Sequence, residues 1–161
     1  MKEAVARYKG DGTIHCYEDD PYDGFFDTDH WFKLELPSID LSKAEEKTYS
    51  LEGIPTSNPI RVGLNLLPSE GQIIHGYHAI ITLRIIAKNG FVAFAQERRA
   101  ELNYVHDQWE GCFYTLGPVT LKVDEDYRIE VKYHPEGTTL PSGEVVLFLV
   151  GGKVPPGQTN P

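Results

Sequence analysis

In the stretch PIRVGLNLL, Ile60, Val62, Leu64 and Leu66 alternate with Arg61, Gly63 and Asn65. In AIITLRIIA the residues Ala79, Ile81, Leu83, Ile85 and Ala87 again occupy every second position. A period of two is the pattern of a strand with one buried and one solvated face, because successive side chains point to opposite sides of a sheet. The pattern recurs along a chain of 161 residues, a length that suits one domain with a sizeable core. Candidate strands are Thr13–Tyr17, Trp31–Leu36, Thr48–Leu51, Cys112–Leu116, Val119–Val123 and Tyr127–His134, with Pro and Gly punctuating the intervals. EVVLFLVGG is apolar at consecutive positions, which places Val145–Val150 as a central strand buried on both faces.

Around ten short strands with frequent turn signals define an all-β chain, an antiparallel two-sheet β-sandwich over residues 1–152. Asn89-Gly90 is placed at the two central positions of a tight hairpin turn, where both residues tolerate φ > 0. AQERRAELNY departs from the pattern. Read as a strand it puts Phe94, Gln96, Arg98, Ala100 and Leu102 on one side, whereas its good helix formers set Ala95, Arg99 and Leu102 on one helical face; a short helix near residues 95–104 is expected. The tail 153–161, KVPPGQTNP, carries too little apolar surface to order itself and is expected to be flexible.

The segment LKVDEDYRIEVKY, through Leu121, Asp124, Tyr127, Ile129 and Val131, resembles the tyrosine corner of immunoglobulin-like and fibronectin type III-like sandwiches. The resemblance implies that the hydroxyl of Tyr127, at the start of a strand, returns to backbone upstream. A weaker echo is present in LSKAEEKTYSLEGI, with Leu41, Tyr49, Leu51 and Ile54. The layout, closing on VVLFLVGG, is similar to that of sandwich domains in bacterial envelope lipoproteins. Cys16 and Cys112 lie too far apart for the Cys-Trp-Cys arrangement of antibody domains. Such folds host many functions, so function must be argued from sites.

The formal net charge of −9 argues against phosphate-dominated binding of DNA or RNA and against anionic membrane surfaces. It would suit a basic protein partner or a divalent cation, although an acidic surface that serves only solubility is the commoner case and the favoured reading of charge alone. No apolar run is long enough to span a bilayer. As written the chain reads as cytoplasmic, or as a cell-envelope or periplasmic domain whose signal peptide has been removed. Cys16 and Cys112 are compatible with a long-range disulfide after export or with reduced thiols in the cytosol.

YEDDPYDGFFDTDHWF, residues 17–32, holds six carboxylates among seven rings, His30 included, and no Lys or Arg. An EF-hand loop begun at Asp19 would need a ligand where Pro21 stands, so that motif fails. Asp20, Asp23, Asp27 and Asp29 remain candidates for a calcium site on sandwich loops, against the simpler reading of a solvated acidic loop. His75 and His78, three apart around Gly76, would point to opposite faces of a regular strand, and joint metal ligation requires a turn at Gly76. His106, Asp107 and Cys112 permit a Cys–His pair, but Cys112 begins an apolar strand and reads better as a structural thiol. No nucleophile elbow, phosphate-cradling loop or dinucleotide fingerprint occurs, and no cofactor is implied.

Binding through loops is what remains. The leading expectation is a non-enzymatic domain that recognises a protein with a basic patch, through Tyr22, Asp23, Phe25, Phe26, Asp27, Asp29, Trp31, Tyr104 and Trp109. Acidic groups would steer the partner and one or two rings would anchor it. A carbohydrate-binding module, calcium-assisted and with Trp109 and Tyr104 as stacking platforms, is the alternative. A metal-dependent hydrolase centred on His75, His78 and His106 ranks third.

Overall fold

In the computed structural model, which describes residues 2–17, 31–55, 60–69, 74–104, 118–122, 125–137 and 141–152, the alternating segments become ten strands preceded by one short helix. The helix is α1 (Lys2–Ala6). The strands are β1 (Thr13–Tyr17), β2 (Trp31–Glu35), β3 (Ile39–Asp40), β4 (Glu45–Ser50), β5 (Ile60–Pro68), β6 (Ile74–Ala87), β7 (Val92–Tyr104), β8 (Pro118–Val119), β9 (Tyr127–Pro135) and β10 (Gly143–Gly152). One sheet runs β1-β2-β10-β5-β8, with β3 also paired to β10; the other runs β4-β9-β6-β7. Every pairing is antiparallel. The chain is therefore all-β, built from two antiparallel sheets around one shared core.

The two sequence stretches with the clearest alternation supply the middle of that core. Ile60, Val62, Leu64 and Leu66 of β5 and Ala79, Ile81, Leu83, Ile85 and Ala87 of β6 are all fully buried. β10 lies between β2 and β5 and is buried on both sides: Val145, Leu147 and Leu149 face the core, while Val146 and Phe148 are buried on the outer side. Three tyrosines then fix elements to one another through their hydroxyls. Tyr127, at the start of β9, accepts a hydrogen bond from the Lys122 N–H five residues upstream at 2.8 Å. Tyr133 Oη donates to the Leu41 carbonyl at 2.7 Å and Tyr49 Oη to the Pro37 carbonyl at 3.0 Å, so β9 and β4 are each tied to the stretch that leaves the opposite sheet. Each ring is buried while its polar end is satisfied, which is the condition for placing Tyr in a core.

Three features differ from the sequence reading. Residues 95–104 are not helical: β7 is a strand paired with β6 along its whole length. Its inward row is Phe94, Gln96, Arg98, Ala100 and Leu102, opposite Ile85, Leu83, Ile81, Ala79 and Tyr77. The alternation is degraded because β7 is, among the described residues, the last strand of its sheet, and an edge position tolerates polar residues on the inward side. The β6–β7 turn also shifts by one residue. Gly90 N–H donates to the Ala87 carbonyl at 2.8 Å and Ala87 N–H to the Phe91 carbonyl at 2.8 Å, so Lys88 and Asn89 are central and Gly90, at φ 92, follows them. Asn89 serves as an acceptor, taking the Phe91 N–H on its side-chain oxygen at 2.9 Å. This is the three-residue hairpin in which a left-handed glycine closes a turn, and beyond it β7 carries one surplus residue, Ala93, in a bulge between its pairings with Ile86 and Ile85. Finally, the strand expected over Val119–Val123 is only Pro118–Val119. The expected strand Cys112–Leu116 and the tail 153–161 lie outside the described residues.

Candidate functional site

The acidic and aromatic segment springs from the hairpin β1–β2. Cys16 pairs with Phe32 and Tyr17 with Trp31, and Trp31 also pairs with Gly152 at the end of β10. The two strands are placed from below by packing: Phe32 and Leu34 are fully buried, and Ile14 packs against the same core. Gly12, at φ 86, lets β1 start close against β2, since a Cβ there would stand 2.2 Å from the Glu35 carbonyl oxygen. Just before it, Asp11 N–H donates to the Ser50 carbonyl at 2.8 Å and Ser50 N–H donates to the Asp11 carboxylate at 2.7 Å. Tyr8 Oη donates to the Asp11 carbonyl at 2.5 Å, and burial, with the nearby Asp11 charge, pushes its phenol well above the ordinary range. The N-terminal stretch thereby straps β1 to the end of β4 across the sandwich edge.

Of the residues expected to bind, Asp20, Tyr22, Asp23, Phe25, Phe26, Asp27, Asp29 and Trp109 lie outside the described residues, as do His106, Asp107 and Cys112. The backbone of Trp31 and Tyr104 is described, and strand register puts them at opposite ends of the sandwich. Trp31 sits where β2, β10 and β5 converge on Gly152 and Ile60. Tyr104 pairs with Ile74, beyond the Ala79–Pro135 pair, at the end where Tyr133 reaches Leu41. One loop cluster around both rings is thus not formed by the strands themselves. Cys16 is a free, half-buried thiol on β1.

The outer surface of the first sheet carries positive charge next to the root of the acidic segment. His15, Lys33, Val150 and Arg61 form one row across β1, β2, β10 and β5. The Lys33 ammonium lies 5.0 Å from the centre of the Phe148 ring and 3.3 Å from the Glu35 carboxylate. The far end of the Phe148 ring in turn sits against Gly63, where a Cβ would come within 2.3 Å of it. Arg61 is the only residue of this row on β5, and it is half-buried.

The histidine pair meets an irregularity at the position where one was required. Gly76 has φ 71, and β6 holds one extra residue between its Ile74–Tyr104 and Tyr77–Leu102 pairings. A glycine in the left-handed region with one surplus residue is a β-bulge, which breaks the strict alternation of the strand. His78 is half-buried on the outer face of the second sheet. That face is laced with ion pairs that draw on all four strands of the sheet. Arg99 of β7 reaches across β6 to Glu136, donating from Nη2 at 2.8 Å and from Nε at 3.1 Å. The Arg99 guanidinium, followed by the nearby His78 and His134, holds the Glu136 carboxyl below the ordinary range. Arg84 pairs with Glu130 at 3.1 Å. Beside these pairs a shallow cleft of about 380 Å³ is floored by Ile80 and Thr82 and rimmed by Glu46, Glu97, Lys132 and His134. Among the described residues, no group of three or more His, Cys, Asp or Glu side chains is gathered as a metal ion would need. Residue spacing in the sequence does not reveal this face, because neighbours on it such as Ile80 and His134 lie 54 positions apart and meet only through register.

No family model matches the chain, and no curated protein or solved structure is matched either.

Proposed function

We propose that the chain is a non-enzymatic β-sandwich recognition domain that binds a protein with a basic patch through the acidic and aromatic segment between β1 and β2. The observation that carries this reading is the register of that hairpin. Tyr17 pairs directly with Trp31, so the chain leaves the sheet after residue 17 and re-enters it at residue 31 in one place, a thirteen-residue connection between edge strand β1 and β2, which Phe32 and Leu34 anchor in the core. Hairpins usually close in two to five residues, and long connections on a rigid scaffold are where binding residues concentrate. Six carboxylates in residues 17–32 give the excursion its charge, and Trp31 with the neighbouring rings gives it apolar anchors. The bond between Lys122 N–H and Tyr127 supports the finer reading of an immunoglobulin-like or fibronectin type III-like corner. An envelope lipoprotein domain or an immunity-type inhibitor is the role that size and charge favour.

The test is affinity capture from extracts of the source cells with the intact chain and with a variant carrying Asp23→Asn, Asp27→Asn and Trp31→Ala. A partner that is captured by the first, is basic, is released by moderate salt and is lost with the variant supports the reading. Capture of the same partners by both proteins overturns it. Stabilisation by glycans or by calcium in a thermal-shift screen, with no protein captured, would favour carbohydrate binding instead.

A further inference from the structure

We infer that two copies of this chain associate through β7, edge to edge and antiparallel, to continue the second sheet across a twofold axis. β7 spans Val92–Tyr104, ends its sheet, and among the described residues has no strand beyond it. The opposite edge, β4, is Glu45–Ser50, less than half as long. Phe91 and Val92, at the start of β7, are 54 % and 38 % exposed. A long edge with unpaired backbone groups is a template for another strand unless something blunts it.

The phase of the ladder decides which groups are offered. Glu136 N–H donates to the His78 carbonyl at 2.8 Å, so the even-numbered residues of β6 turn their backbone bonds toward β9. Its odd-numbered residues, Ala79, Ile81, Leu83 and Ile85, therefore bond to Ala100, Arg98, Gln96 and Phe94 of β7. Along β7 the amides and carbonyls of the intervening Ala95, Glu97 and Arg99 point away from the sheet. All three have their side chains on the outer face, where Glu97 already accepts a bond from Thr82 Oγ1 at 3.2 Å and Arg99 holds Glu136.

Strand length and charge together favour one register: Arg98 is the midpoint of Val92–Tyr104, so an axis through it pairs β7 end to end, whereas an axis through Ala100, which would also oppose Arg99 and Glu101, leaves residues 92–95 without a partner. An axis through Arg98 sets Glu97 opposite the second copy's Arg99, and the same contact recurs on the other side of the axis. An axis through Glu97 would set that carboxylate against itself. One through Arg99 would oppose arginines and bring Glu97 against Glu101. In the favoured register each new Glu97–Arg99 contact joins two existing ones, giving Thr82–Glu97 and then Arg99–Glu136 of the second copy in an unbroken outer row. On the inward side, Phe94 comes opposite Leu102. Arg98 meets its own copy at the axis, the one like-charge contact of this register, set against two opposite-charge contacts beside it; the position is exposed, so solvent screens the repulsion.

Sedimentation equilibrium of the full chain over a wide concentration range, combined with amide exchange followed by NMR, tests this. The expected result is a reversible dimer in which protection of the Ala95, Glu97 and Arg99 amides rises with concentration, while Gln96, Arg98 and Ala100 are protected throughout. Glu97→Arg places like charges in both contacts and should give a monomer; Glu97→Arg combined with Arg99→Glu should restore the dimer. A wild-type chain that stays monomeric overturns the inference. So does self-association that Glu97→Arg leaves unchanged, or concentration-dependent protection that maps away from alternate residues of β7.

Discussion

Replacing Tyr133 by Phe isolates one bond between the sheets. The ring is 2 % exposed, and its hydroxyl donates to the Leu41 carbonyl at 2.7 Å in a buried setting. Phe keeps the ring and its packing, so the main loss is the hydrogen bond, together with the desolvated carbonyl left without its donor. A buried acceptor left unpaired costs about 1–3 kcal/mol. For a chain of this size that corresponds to a fall in melting temperature of roughly 2–12 °C. A second signature comes from titration. Burial, followed by the Asp40 charge, raises the Tyr133 phenol above its ordinary value of 10.0, so the folded state favours the neutral form. The contribution is therefore complete below the ordinary value and is lost as pH climbs from there toward the folded value. Phe cannot ionise, so the stability gap between wild type and variant should narrow above about pH 10. Other tyrosines titrate alike in both proteins and cancel in the difference. Urea melts at neutral and alkaline pH measure both effects. A neutral-pH difference within about 0.5 kcal/mol, the scatter of ordinary surface substitutions, would refute the claim that this bond ties the sheets together.

Gly63→Ala forces a methyl group to within 2.3 Å of the Phe148 ring; the overpacking should cost about 1–3 kcal/mol, and pairing it with Phe148→Leu should recover part of the loss in the same urea melts. Gln96→Leu removes a buried side-chain oxygen that has no donor among the described residues, so the variant should be more stable than wild type by about 1 kcal/mol in thermal melts. Arg99→Leu should move the Glu136 carboxyl back up toward its ordinary value of 4.5, as read by carbon-detected titration. Its lowered value in the wild type means that the Arg99 contact stabilises the fold above the ordinary carboxylate range and is lost as pH falls through the folded value, so the variant should show a weaker acid dependence.

The parts of the fold that alternation could reveal are those buried on one side by a full-width neighbour. β5 and β6 sit inside their sheets, every second residue is fully buried, and their inward rows were named residue by residue from the sequence. β10 was legible for the complementary reason that both of its faces are covered. β7 was not, and the reason is positional. An edge strand faces the core through only part of its inward row, so Gln96 and Arg98 can stand where an interior strand would need apolar side chains, and the same residues score well as a helix. The hairpin turn lies one position earlier than the Asn-Gly pair suggests: Lys88 and Asn89 are central, the Asn89 side chain accepts the Phe91 amide, and Gly90, at φ 92, follows them. α1 gave no signal at all: five residues cannot display a helical period.

Position in the sheet also decides where recognition can reside. A side chain's face follows from local alternation, but its neighbours follow from register, which the sequence does not state. The acidic segment was visible because it is contiguous, and its mounting on Tyr17 and Trp31 became visible only through the pairing of β1 with β2. Tyr104, grouped with Trp31 on composition, is separated from it by the length of the sandwich. The Arg99–Glu136 contact illustrates the reverse case, with partners 37 residues apart in sequence brought into bidentate contact across β6. A surface assembled in that way can be altered without touching any local motif, since exchanging Glu97 or Arg99 changes the outer row of the sheet while leaving every inward residue in place. Selection on such a face acts on register-matched pairs, whereas selection on the β1–β2 excursion acts on a single stretch of chain. The proposed recognition through the β1–β2 connection and the inferred self-association through β7 therefore rest on separate residues, and variants of one leave the other in place to be measured.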